Sequence, residues 1–207
     1  LWHHALKTLD GVQCIGLEAA VQMVGFYERA GFQKDCITTR RQMLFRSEAT
    51  LALSPSQRSD VAVVPLREVS LEAIQRYDER HEISPRPHFL ELWLRHRAGD
   101  VFAARDAEGE CHGYVRIRPC LLPIGEGWRV GPWLAEDPGM ASLLLNNALD
   151  HHNGVVLIDT PGHNPSAKTI LSARGFKPMT STVRMYKGVI PKGHDRNVYG
   201  LACLELG

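Results

Sequence analysis

The beginning of the chain returns near its end, and that repetition limits what the sequence can build more than any other feature. Ala5-Leu6, Gly11-Val12 and Ile15 align with Ala148-Leu149, Gly154-Val155 and Ile158 at a constant offset of 143 residues. After one inserted residue, Ala30-Gly31-Phe32 aligns with Arg174-Gly175-Phe176, and Thr39-x-Arg41 returns to the offset of 143 against Thr182-x-Arg184. The identities are few, but they fall in order at strand, helix-stop and strand positions. They read as a duplication whose first copy is cut short. Leu1-Trp2-His3-His4-Ala5-Leu6 already looks like the inside of a helix, with no N-cap residue ahead of it, which suits a fragment.

Periodicity fills in the elements. Residues 12–17 form a short apolar run suited to a strand, and Ala20, Met23, Val24 and Tyr27 recur at helical spacing until Gly31. Residues 36–46 read as another strand, so the first copy is strand, helix, strand. That is too little to enclose a core without a sheet borrowed from the rest of the chain or lying upstream. Residues 47–60 carry a proline and end polar, which suits a linker. The organisation expected is therefore 1–46 as the C-terminal part of a first repeat, 47–60 as linker and 61–207 as a second, complete repeat.

In that second repeat, 61–66 reads as a strand. Ser70 caps a helix with Leu71, Ile74, Tyr77 and His81 inward, and Pro87 opens another with Phe89, Leu90, Trp93 and Leu94 on one face. Strands at 101–105, 112–119 and 127–135 form a meander, the first two joined by a turn at Asp106–Gly109. A helix at 138–150, a strand at 155–158, a helix at 165–174 and strands at 182–186 and 198–205 complete the order.

Bulk properties exclude more than they assign. The chain is 44% hydrophobic and 23% charged, with 24 basic and 23 acidic residues spread along it, so no basic face points to nucleic acid or an anionic membrane. The five cysteines are scattered and never spaced Cys-x-x-Cys, which favours a reducing cytoplasm over a disulfide framework. No apolar run approaches the roughly 18 to 20 residues that cross a bilayer. His3-His4 and His151-His152 have no third ligand at metal spacing, so no metal is expected.

The element order, with helix-then-Gly-Phe-then-strand occurring twice, resembles the GNAT superfamily of acyl-CoA-dependent N-acetyltransferases. Phe26-Tyr27-Glu28-Arg29-Ala30-Gly31-Phe32 resembles its closing motif. The stretch from Tyr77 to Gly207 looks like the C-terminal domain of two-repeat GNAT proteins of the YitH group. Gly113-Tyr114, Arg118-Pro119, Val130-Gly131-Pro132, Ala135, Asn164, Gly175-Phe176, Arg184-Met185-Tyr186 and Tyr199-Gly200 carry the likeness, with Leu204-Glu205-Leu206-Gly207 at the end.

The resemblance implies an α/β (α+β) GNAT fold, a mixed central sheet splayed between its fourth and fifth strands with flanking helices and acetyl-CoA lying in the opening. The pyrophosphate would sit on backbone N–H groups at the start of the following helix. Ala135 to Met140 occupies that place with one glycine, Gly139, and two carboxylates, Glu136 and Asp137, that would repel it. The second repeat thus departs from the family pattern, and the first repeat's loop would lie before residue 1. Asn164 stands where family members contact the pantetheine arm, although Asn-Pro is also an ordinary helix start. The resemblance places a proton-donating tyrosine at Tyr27, whose counterpart in the second repeat is Leu171; packing alone would also account for Tyr27 on its apolar stripe.

The acceptor implied is an amine, of a small molecule or a peptide. Glu136, beside Glu126 and Asp137, is a candidate to bind or deprotonate it, against a solvated-surface reading. Arg116 and Arg118 share one strand face, and could bind an acidic acceptor or line a solvated sheet. A noncatalytic acyl-CoA-binding or substrate-selecting module is the alternative.

Overall fold

The computed structural model describes residues 2–45, 60–123, 125–150, 152–190 and 195–204. The expected linker, apart from Asp60, lies outside the described residues, as do His151 and residues 205–207. The first segment gives α1 (Trp2–Thr8), β1 (Cys14–Ala20), α2 (Val24–Arg29) and β2 (Gln33–Phe45). The rest gives β3 (Ala62–Pro65), α3 (Leu71–His81), α4 (Pro87–Leu94), β4 (Asp100–Arg105), β5 (Cys111–Leu122) and β6 (Gly125–Ala135). It continues with α5 (Pro138–Leu149), β7 (Gly154–Thr160), α6 (Pro165–Ala173), β8 (Lys177–Gly188) and β9 (Val198–Gly200). Local chemistry sets several starts: the Ser70 hydroxyl accepts from the Ala73 N–H at 3.1 Å, and prolines open α4, α5 and α6 where a missing N–H costs nothing.

The nine strands form one mixed sheet in the order β1-β8-β2-β7-β6-β5-β4-β3, with β9 added beside β6. Neither segment owns its sheet. β2 pairs on one side with β7 and on the other with β8, while β8 also pairs with β1, so β2 of the first segment and β8 of the second each lie against strands of the other. Polar locks fix this interleaving. Glu18 on β1 accepts from Thr38 of β2 at 2.7 Å and from Thr182 and Arg184 of β8 at 2.6 and 2.9 Å. Arg40 on β2 grips the buried Asp159 of β7 with two hydrogen bonds of 2.7 and 2.9 Å.

Strand alternation divides the core. Trp133 and Ala135 of β6, with Val115 and Ile117 of β5, pack in one cluster with α5 and α6; Leu134 and Tyr114 pack in another with α3 and α4. A third, smaller cluster joins Ala19, Val24, Phe32 and Met185 to Trp2 and Tyr27.

The helix stops recur in backbone detail. Gly31 and Gly175 take φ of +90° and +84°, a region that penalises any Cβ. The Phe32 N–H bonds the Tyr27 carbonyl at 3.0 Å and the Phe176 N–H bonds the Leu171 carbonyl at 2.9 Å, the 6→1 bond of a Schellman stop at both helix ends.

Boundaries differ from the sequence reading where tertiary pairing overrides local pattern. The strand expected at 12–17 runs 14–20, so Ala20 is a strand residue and the helix begins only at Val24 after a tight turn at 21–23. The strand expected at 182–186 extends to 177–188 because β1 and β2 flank it on both sides. The last strand, expected over 198–205, ends at Gly200. None of the described helices is long and apolar enough to cross a membrane.

Candidate functional site

The parallel strands β6 and β7 pair only from Trp128↔Val156 to Val130↔Ile158 and then diverge. This is the splay expected between the fourth and fifth strands of the second unit. The widening gap is filled by the chain's own C-terminal segment. β9 pairs antiparallel with β6, Trp133↔Gly200 and Leu134↔Val198, and the Leu201 N–H donates to the Asp159 carbonyl of β7 at 2.9 Å. Gly131 makes the close approach possible, since a Cβ there would lie 1.9 Å from the Leu201 carbonyl oxygen. Tyr199 is buried with its ring 5.1 Å from that of Trp133, and burial pushes its phenol up to about 12.

The residues expected to hold the cofactor are occupied by this arrangement. Asn164 caps α6 by accepting from the Ala167 N–H at 3.1 Å, and its amide donates to the carbonyls of Arg196 and Val198 at 2.8 and 3.0 Å. Asn197 donates to the Ala135 carbonyl at 3.0 Å. At the start of α5, where a pyrophosphate would need free N–H groups, Pro138 has none. The Met140 N–H is taken by the Asp137 carboxylate at 2.9 Å, and the Glu136 N–H by the His112 carbonyl at 3.2 Å. Gly139 is buried beneath. An acyl-CoA arm does not fit between β6 and β7 with the segment in place, and the helix start offers an anion a carboxylate instead of a cradle.

Tyr27 lies elsewhere. It is half-buried on α2, its ring 5.5 Å from Trp2, 5.3 Å from Phe26 and 5.9 Å from Phe32. Its hydroxyl makes no hydrogen bond among the described residues. Leu171, its counterpart, is fully buried in the core under α6. β1, which leads into α2, pairs with β8 on one edge, and no described strand covers the other.

Glu136 is exposed and accepts from His112 at 2.8 Å, while the other ring nitrogen of His112 lies 2.7 Å from Asp106. Arg116 is 1% exposed, so the reading of its strand face as a solvated sheet surface is corrected: α4 crosses over it. The structure does not gather Tyr27, Asn164, Glu136 and Arg116 into one pocket.

A pocket of about 450 Å³ opens where the α3–α4 connection faces β1, β2 and β8. Its wall carries Asp35, Cys36, Glu82, Arg86 and His163. Arg86 donates to both oxygens of Asp78, at 2.8 and 2.9 Å, and to Glu82 at 2.7 Å; the Tyr114 hydroxyl also donates to Asp78. Burial raises the Glu82 carboxyl despite Arg86. His163 meets Asp35 at 2.9 Å, and burial pushes the adjacent Cys36 thiol up to about 11. Asp35, Cys36 and His163 hold donor atoms within 4.8 Å of one another. The sequence reading missed this cluster because Cys36 and His163 stand 127 positions apart in the chain.

A family model for the acetyltransferase (GNAT) domain matches residues 74–200, more than half of the chain. The chain belongs to the GNAT acetyltransferase family. This GNAT chain is 25% identical to the holothin acyltransferase of Pseudoalteromonas sp. (strain SANK 73390), over 93% of its own length and 62% of that protein's. Among solved structures, a proposed acetyltransferase of Pyrococcus horikoshii superposes with a TM-score of 0.75 at 21% identity, over all of this chain and 64% of that one. Eis1 of Mycobacterium abscessus gives 0.57 at 17% identity, over 89% and 50%. The GNAT chain thus spans under two thirds of the curated relative it matches.

Proposed function

We propose that this chain is part of an acetyl-CoA-dependent N-acetyltransferase of tandem-repeat type, in which the unit containing Tyr27 is catalytic and the unit from residue 61 is a degenerate partner that shapes the acceptor site. The observation that carries the division of labour is the β6–β7 splay, filled by residues 198–201. Leu171 at the position of Tyr27 agrees with it, because an alkyl group gives up no proton. The acyl-CoA loop of the first unit would come from sequence ahead of residue 1, consistent with the greater length of the relatives.

In the proposed reaction a neutral amine attacks the thioester carbonyl and forms a tetrahedral oxyanion. Collapse breaks the C–S bond, and the departing thiolate takes the proton of the Tyr27 hydroxyl, while the nitrogen loses its extra proton to solvent or a base. No covalent enzyme intermediate is formed. The five cysteines, all free, suit the reducing cytoplasm proposed for it.

Two measurements test the reading. Calorimetric titration of the 207-residue chain with acetyl-CoA is expected to give no saturable heat, whereas the chain extended upstream by a whole repeat binds. Binding by the short chain alone would show that the second unit keeps a working site. In the extended protein, Tyr27→Phe is expected to lower kcat about 100-fold with little change in KM. A variant of near-normal turnover would favour the reading as a noncatalytic acyl-CoA-binding or substrate-selecting module.

A further inference from the structure

A second pocket, of about 440 Å³, lies between α4 and β5. Phe89, Leu92, Trp93 and Pro119 make its walls, and Arg116 and Arg118 line it. Leu92 is 77% exposed at its rim. No carboxylate lines the pocket among the described residues.

Arg116, one of its lining residues, is incompletely satisfied. Arg116 is 1% exposed, and its Nη2 donates to the Ala98 carbonyl at 2.9 Å. Its Nε and Nη1 are buried and find no acceptor among the described residues. The Trp93 ring lies 5.1 Å from the Arg116 guanidinium and 4.9 Å from that of Arg118, which covers guanidinium faces but provides nothing for the in-plane N–H groups. Burial, and then the neighbouring Arg118 charge, push Arg116 down to about 10. A buried cation facing a like charge, with two donors unmet, is a costly arrangement that a bound anion relieves.

We propose that this pocket binds an amphipathic carboxylate, an aromatic or short aliphatic acid whose carboxylate accepts from Arg116 and whose hydrocarbon body packs against Trp93, Phe89 and Leu92. Two parallel N–H groups of a guanidinium match the two oxygens of a carboxylate. The apolar walls argue for a ligand with a hydrocarbon body over a bare inorganic anion. The volume falls in the usual range for small-molecule sites. The proposal does not rest on the acyl-transfer reading, since it is read out by binding and stability alone.

The test is thermal unfolding and calorimetric titration of the 207-residue chain with phenylacetate, compared with phenylacetamide and inorganic phosphate. Phenylacetate is expected to bind saturably, to raise Tm and to weaken with added salt, while phenylacetamide gives no shift. Arg116→Met, which replaces a buried charge with an apolar chain of similar length, is expected to fold with an unchanged or higher ligand-free Tm and to bind phenylacetate at least about tenfold more weakly. Leu92→Glu alters only an exposed rim position and is expected to abolish binding by supplying a competing carboxylate. That variant decides the matter should Arg116→Met fail to fold. Absence of saturable phenylacetate binding overturns the proposal, as does equal binding by either variant. Equally tight binding of phenylacetamide or phosphate overturns it too.

Discussion

The His112 ring holds two carboxylates from different strand ends, Asp106 at 2.7 Å and Glu136 at 2.8 Å, and the hydrogen bond from His112 keeps the Asp106 carboxyl below its usual 3.8. A depressed carboxyl contributes stability that is fully present above its unfolded pKa and is lost as pH falls through the lower folded value. Asp106→Asn is therefore expected to reduce stability by a constant amount above about pH 4, with the gap from the parent closing toward pH 2. Urea midpoints measured from pH 7 to 2 check this; a gap unchanged at pH 2 would mean that the charge is not responsible. At this scale the sequence was only partly legible. The i, i+2 spacing put Arg116 and Arg118 on one strand face, but the burial of Arg116 depends on where α4 crosses that face, and strand periodicity carries no such information. Asn164 was legible as a helix cap, whereas its second task, holding the carbonyls of residues 196 and 198, needs a partner 34 residues away that no local pattern specifies.

Among the elements, those that carry the recurring residues were the most legible, because the hydrophobic period and the glycine stop occur together in each. α2 and α6 end with the same bonds, and β2 and β8 have nearly the same length. β9 was legible only in part: a strand was expected to begin at residue 198, but its three-residue length and its place in the splay are fixed by the tertiary hydrogen bonds of Asn164, Asn197 and Leu201, which no local pattern announces. Asn164→Ala tests how far that segment depends on them. The substitution removes a helix cap, worth roughly 1 kcal/mol, and leaves two carbonyls short of a donor, worth roughly 1 to 3 kcal/mol together. A loss of about 3 kcal/mol is expected, accompanied by faster amide exchange at residues 198–201 with β4 and β5 still protected. Exchange that rises uniformly across the sheet would show that the segment opens only with the whole molecule.

At the scale of the whole molecule, the interleaving of β2 and β8 decides what is separable. A reading by sequence alone divides the chain near residue 60, because the repeat boundary and a polar, proline-bearing stretch coincide there. The sheet runs through that division. Removing residues 1–46 would strip β2 from between β7 and β8, leaving facing edges of two strands unpaired, and would leave Asp159 buried without the guanidinium of Arg40. An uncompensated buried carboxylate alone costs about 3 to 5 kcal/mol. A fragment of residues 60–207 is therefore expected to melt roughly 10 °C or more below the full chain, or to aggregate, and to bind a hydrophobic dye that the full chain does not. Circular dichroism melts and size-exclusion chromatography of the two proteins make the comparison. Adding a peptide of residues 1–46 should restore part of the lost stability if strand insertion is the cause. A fragment that melts cooperatively at the temperature of the full chain would show that β7 and β8 close on each other without β2, and that the two units are independent after all.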